Sequence, residues 1–174
     1  MSAGHPLPRI VFATLLAAAV IILGTALASQ YFGGLKPCVL CIWQRYPYAV
    51  VIGLAGLGFG LSRVPSMGIG VLAAIAALIA LAMIIDAGIA AYHVGVEQHW
   101  WQGTSGCTGT TGAARTAEDL ARQLKATPVV RCDEVAWSFL GISMAGYNFL
   151  AASTLALFSG AAARQMFMAA KGAR

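Results

Sequence analysis

The chain has 174 residues, of which 59% are hydrophobic and only 10% charged, against roughly 25% charged in an average soluble domain. Its apolar residues fall in long blocks rather than in patterns shared with polar partners, so water is not expected to be its only solvent. The formal charge is +5, but the eleven Lys and Arg residues are scattered without a basic run or stripe, which argues against nucleic-acid binding.

The first block, residues 10–28, carries no charge and gives about 28 Å of helix at 1.5 Å per residue, close to the hydrocarbon thickness of a bilayer. Arg9 precedes it and Ala26-Leu27-Ala28 resembles a signal-peptidase site. The run nevertheless exceeds the usual signal core of about 7 to 15 residues, so the helix is expected to stay. Further spans are predicted over residues 42–61, over 68–91 with Asp86 near the far end, and over 144–163, between a capping Ser143 and Arg164. The expected fold is an all-α membrane protein, one integral domain over residues 1–174, built as a four-transmembrane-helix bundle with both termini on one side.

A tight turn, Ser62 to Ser66, joins the second and third spans, whereas the connections over residues 29–41 and 92–143 lie on the opposite face. Arg9, Arg63, Arg164, Lys171 and Arg174 gather on the side of the termini, against Lys36, Arg45 and Arg131 near the span ends opposite. This bias favours cytoplasmic termini. Tyr31, Phe32, Trp43, Tyr46 and Tyr48 around the first loop, and Trp100, Trp101 and Trp137 around the second, read as interfacial anchors. Short interfacial helical segments are expected in the second loop. Thr116-Ala117-Glu118-Asp119 starts one, with Leu120 and Leu124 on a face and Glu118 paired to Arg122; Glu134 to Gly141 forms another. Gly56 and Gly60 give a small-xxx-small spacing for close helix approach.

All four cysteines lie in the two loops on one face, the oxidising side if the termini are cytoplasmic. Cys38-Val39-Leu40-Cys41 is a C-x-x-C pair at the head of a span. The positive end of the helix dipole, with Lys36 and Arg45 nearby, would lower the pKa of Cys41. Arg45 follows one turn later on the same face; a snorkelling interfacial arginine is its plainer reading. Cys107 and Cys132 stand among glycines with 24 residues between them, too exposed a setting for a packed core and suited to docking and thiol exchange. Redox exchange, inert structural disulfides and a four-cysteine zinc site are the three readings of this set. Zinc favours two short knuckles where only one is present, so no metal is expected.

Pro37-Cys38-Val39-Leu40-Cys41-Ile42-Trp43-Gln44-Arg45-Tyr46-Pro47-Tyr48 closely resembles the signature of the disulfide bond formation protein B (DsbB) family. Cys132-Asp133-Glu134-Val135-Ala136-Trp137-Ser138-Phe139-Leu140-Gly141-Ile142-Ser143-Met144 is similar to its second signature. The resemblance extends over nearly the whole chain and implies a bacterial inner-membrane oxidoreductase with periplasmic cysteine loops. In that family a periplasmic DsbA-type thiol oxidase is reoxidised at the second-loop disulfide, with Cys107 as the mixed-disulfide partner and Cys132 as its exchange partner. Cys38 and Cys41 then pass two electrons to ubiquinone, or to menaquinone under low oxygen, with Cys41 touching the quinone and Arg45 polarising it.

His93 lies near a position where relatives carry a histidine linked to quinone or proton chemistry, and is also readable as an ordinary interfacial histidine. Asp86 reads equally as a helix-packing hydrogen-bond partner and as a proton relay; Glu97 and His99 are expected to be solvated. The competing functions are a non-enzymatic membrane scaffold with structural disulfides, a zinc-binding membrane module, and a vitamin K epoxide reductase-like enzyme. The placement of all four cysteines and the Trp43 to Tyr48 stretch argue against the last of these.

Overall fold

The computed structural model describes residues 6–104, 107, 116–118 and 130–172. Among these, four long helices dominate: α1 (Pro6–Tyr31), α3 (Arg45–Leu61), α4 (Ile69–Glu97) and α5 (Met144–Gly172), with the five-residue α2 (Val39–Trp43) before α3. Helices α1 and α4 are long and apolar enough to cross a membrane, each containing a stretch of mean hydropathy 2.6. Helix α3, with 17 residues, is about 26 Å long.

The helical segment expected to open at residue 42 is divided. Gln44 stands between α2 and α3, because the Pro47 ring has no N–H to donate and would meet the carbonyl of Trp43 four residues back in a continuous helix. In the first turn of α3 the same proline loses no intrahelical bond. Ser143 caps α5 as expected, its hydroxyl accepting from the Gly146 N–H at 3.1 Å. Helix α4 closes on a Schellman pattern: Trp100 N–H donates to Gly95 O at 2.9 Å and His99 N–H to Val96 O at 3.1 Å, with His99 at φ 58.

Helix α1 packs on α3, α3 on α4, and α4 most extensively on α5. Small residues fill the interfaces, including Ala73, Ala76, Ala80 and Ala90 of α4 and Ala152, Ala156 and Ala163 of α5. Large apolar side chains such as Leu78, Leu81, Ile84, Ile85 and Leu157 face outward. Small inside and large outside is the arrangement helices adopt when their surroundings are as apolar as leucine. The close approach to α3 comes at Gly58, where an added methyl would collide with the Phe12 ring of α1. Gly56 and Gly60, whose spacing suggested that role, meet nothing.

Three other expectations change. Residues 134–141 do not form an interfacial helix. Ser138–Phe139 (β1) and Ile142–Ser143 (β2) pair antiparallel around Leu140 and Gly141, whose φ values of 50 and 78 fit the two-residue turn that matches strand twist. Tyr48 is buried at 2% exposure rather than interfacial, while Tyr31, Phe32, Trp43, Tyr46, Trp100, Trp101 and Trp137 are exposed. Glu97 is buried at 8%, because Ser143 donates a short hydrogen bond to its Oε2; His99 is exposed as expected. The amphipathic helix expected from Thr116 onward lies outside the described residues beyond Glu118.

Candidate functional site

The first cysteine pair sits on α2. Cys38 is its N-cap residue, and the Cys38 sulfur accepts from the Cys41 N–H at 3.2 Å. Both thiols are free, with the Cys38 S–H donating to the Cys41 sulfur at 2.9 Å. That bond holds the Cys41 pKa down to about 7 against the opposing effect of burial. A hydrogen bond from the Cys38 backbone and the Arg45 charge assist, while Glu97 works against them. Cys38 is pushed up by the same thiol contact and by burial. The dominant cause is therefore the neighbouring thiol rather than the helix dipole, because Cys38 and not Cys41 occupies the capping position.

Cys107 and Cys132 form a disulfide with their Cα atoms 4.9 Å apart, and Cys132 N–H donates to Cys107 O at 3.0 Å. Neither is exposed as the glycine-rich setting suggested. Both have 0% exposure, in one apolar cluster with Cys38, Leu40 and Val96. The start of this loop is pinned to α4. The Trp101 indole lies against Gly95 and stacks on Tyr92, donates its N–H to Tyr92 O at 2.9 Å, and Tyr92 in turn donates to Gln102 O at 2.9 Å. Disulfide formation uses both sulfurs, so the four cysteines do not form the tetrathiolate zinc site considered above.

A buried polar chain runs behind the dithiol. His93, at 3% exposure, places Nε2 3.6 Å from the Cys38 sulfur and Nδ1 3.0 Å from the amide nitrogen of Gln44. Asn148 on α5 donates to Gln44 Oε1 at 3.0 Å and to Asp86 Oδ2 at 3.0 Å, and accepts from the Tyr48 hydroxyl at 2.7 Å. Asp86 is fully buried, and its Oδ1 has no hydrogen-bond partner among the described residues. The packing hydrogen bond weighed for Asp86 is thus present. Sequence reasoning passed over Gln44 and Asn148 as members of this chain. Their signal was a polar amide at each of two span positions, where polar groups need partners.

In front of the dithiol lies a cavity of about 650 Å³. Cys41, Gln44 and Arg45 stand on its wall, α1 contributes Ile22 and Ala26, and Phe139 of the hairpin closes another side. Arg45 is anchored to α1 by donating to Gln30 Oε1 at 2.6 Å. The hairpin is tied down by Tyr147, which donates to Phe139 O at 3.0 Å. Of the three residues expected at a cofactor, Cys41 and Arg45 line this cavity and His93 does not; it lies beside Cys38 instead. The cavity has the size of a small-molecule site, mostly apolar with a few polar side chains on its wall.

An apolar helical bundle carrying a dithiol, one thiol buried and one on a cavity wall, next to a buried disulfide defines a membrane thiol oxidoreductase. The profile of the family described as "Disulfide bond formation protein DsbB" matches residues 8–162, and the chain belongs to that family. It is 31% identical over 162 residues to "Disulfide bond formation protein B" of Aromatoleum aromaticum, covering 87% of this chain and 89% of that protein. It is 32% identical over 149 residues to the protein of the same name from Xylella fastidiosa, covering 80% and 82%. A further relative, "Uncharacterized protein RP370" of Rickettsia prowazekii, is 25% identical over 148 residues, covering 84% and 82%. No solved structure matches the chain.

Proposed function

We propose that the protein reoxidises a periplasmic DsbA-type dithiol protein at Cys107–Cys132 and delivers the electrons through Cys38 and Cys41 to a membrane quinone, ubiquinone or menaquinone. In this reading all four long helices span the bacterial inner membrane, with cytoplasmic termini and periplasmic cysteine loops. The carrying observation is the division of labour at α2: Cys38 packs with the buried disulfide, while Cys41 and Arg45 line the cavity.

The exchange chemistry balances within the protein. A partner thiolate attacks Cys107, forming a mixed disulfide and expelling the Cys132 thiolate; the partner's second thiolate then closes its own disulfide and releases Cys107. Because both loop sulfurs are buried, this first exchange requires them to leave their packing. Cys132 next attacks the oxidised Cys38–Cys41 pair at Cys38 and expels Cys41 as a thiolate, the better leaving group given its lowered pKa. Attack of Cys107 on Cys132 restores the loop disulfide and frees Cys38. The product is a reduced Cys38/Cys41 pair beside an intact Cys107–Cys132 disulfide, the redox state present in the structure.

The cavity fits a quinone in chemistry: apolar walls suit its ring and tail, and Arg45 offers positive charge where oxygen would gain electron density. A quinone held there would supply the two-electron acceptor. Arg45, fixed by Gln30, would orient and polarise it beside Cys41.

The test is quinone reduction by the purified, detergent-solubilised protein with a reduced DsbA-type partner. Cys107→Ser should lose partner exchange and Cys41→Ser should lose quinone reduction. Full activity in both variants, or an inactive wild type with every quinone and partner, would favour the scaffold reading.

A further inference from the structure

We propose that the reduced Cys38/Cys41 pair and His93 form a binding site for a soft divalent cation, zinc being the natural candidate. Cys38 Sγ, Cys41 Sγ and a His93 ring nitrogen all lie within 4.8 Å of one another. Zinc binds thiolate sulfur at about 2.3 Å and imidazole nitrogen at about 2.0–2.1 Å, which in a tetrahedron sets sulfur and nitrogen roughly 3.5 Å apart and two sulfurs roughly 3.8 Å apart. The Cys38 Sγ to His93 Nε2 distance is already 3.6 Å, so only the sulfurs, at 2.9 Å, must part. Glu97 Oε1 lies 3.9 Å from the same nitrogen, beside the three donors and outside their cluster.

The surroundings suit a metal site beyond its donors. Metal-bound histidines are oriented by a partner on the other ring nitrogen. Gln44 is 3.0 Å from His93 Nδ1 and presents its carbonyl to an Nδ1 proton once its amide turns over, a turn the Asn148 amide must share because it donates to that carbonyl. Binding releases the two thiol protons to solvent and leaves a dication with two thiolates and a neutral imidazole, an uncharged set compatible with burial.

The site exists only in one redox state. Joining Cys38 to Cys41 in a disulfide consumes both thiolates, so the oxidised pair has no soft anionic donors. A bound ion therefore holds the pair reduced. If the proposed electron path holds, this stops turnover at the stage before reoxidation. The binding itself does not rest on that path and is measured without quinone or partner.

The experiment uses the full chain in detergent, with Cys107→Ser and Cys132→Ser introduced so that loop thiols do not compete. The protein is reduced, freed of reductant under anaerobic conditions and titrated with cadmium while the ultraviolet sulfur-to-metal charge-transfer band is followed. One equivalent should bind, the oxidised form should give no band, and Cys38→Ser should abolish it. His93→Gln should weaken binding about tenfold or more. Zinc-edge X-ray absorption on the zinc-loaded protein without a His93 change should show two sulfur neighbours and at least one nitrogen. Absence of the band in the reduced protein, unchanged affinity in a folded His93→Gln variant, or a zinc shell without nitrogen would overturn the site.

Discussion

The α1–α3 contact at Phe12 and Gly58 and the polar chain from Asp86 to His93 both lie between helices, the second half-open to the cavity at Asn148, yet they hold the helices by opposite means. At Gly58 a ring lies on bare backbone, and each contact is weak, numerous and independent of any one partner. In the polar chain, among the described residues, Asn148 joins Tyr48, Gln44 and Asp86, and Gln44 joins Asn148 to His93. Shape tolerates small change where fit is distributed; a hydrogen-bond chain fails from any missing member, because each buried group left behind has no water to turn to. The apolar contact serves assembly, and the polar chain sits where the chemistry is proposed.

The largest effect is expected from cutting the chain at its centre. Asn148→Leu removes three hydrogen bonds and strands the Asp86 carboxyl, and should destabilise the protein by about 3 kcal/mol in detergent unfolding. Adding Asp86→Leu should recover part of that loss, since the stranded group is then gone. Strict additivity in this cycle would show that the bonds act singly and would erase the contrast with the apolar contact.

The thiol end of the chain gives the next effect. With its pKa near 7, Cys41 should react with a small alkylating agent at a rate that rises as pH climbs through about 7 and then levels. An ordinary cysteine near 9 would still be climbing there. At pH 7 the thiolate fraction is roughly fifty-fold above that of the ordinary thiol. Cys38→Ala should move the inflection upward, because the Cys38 thiol is the largest cause of the lowering; Arg45→Gln should move it upward by less. An inflection left in place by Cys38→Ala would remove the thiol pair from the explanation.

Gly58→Ala probes the apolar side. Its methyl would meet the Phe12 ring and should cost about 1–3 kcal/mol, while Gly56→Ala, with open space around it, should change stability by less than about 0.5 kcal/mol. Equal effects at the two glycines would mean that α1 does not sit where described.

Much of this was legible in the sequence, for physical reasons that also mark where legibility ended. Uninterrupted apolar blocks signal helices in lipid, and Ser143 before Met144 announced the start of α5, because these depend on neighbours along the chain. The C-x-x-C pair and Arg45 one turn later were visible for the same reason. Gly56 and Gly60 had the right spacing, but Phe12, more than forty positions earlier, selected Gly58. Gln44, Asp86 and Asn148 meet from three separate elements, and no local pattern reports such a meeting. Cys107 and Cys132 looked exposed because glycine-rich flanks describe the loop and not the cluster of Leu40 and Val96 onto which its cysteines fold. The hairpin at residues 138–143 was hidden because Leu140 takes a positive φ that its type does not advertise.

That hairpin supplies the smallest effect and links the two regions. Gly141 at φ 78 lies in the left-handed region, where a branched side chain costs roughly 1–2 kcal/mol. Phe139, one residue before Leu140, lines the cavity and is held by Tyr147. Gly141→Val should therefore loosen one wall of the cavity without touching a cysteine. With a quinone in the cavity as proposed, the expected result is a KM for it raised severalfold, a kcat little changed and an unaltered Cys41 inflection. Gly141→Asn, which tolerates the left-handed conformation, should restore the KM. If kcat fell instead while KM held, the hairpin would act on the thiols and not on the cavity, and the separation between wall and dithiol would fail.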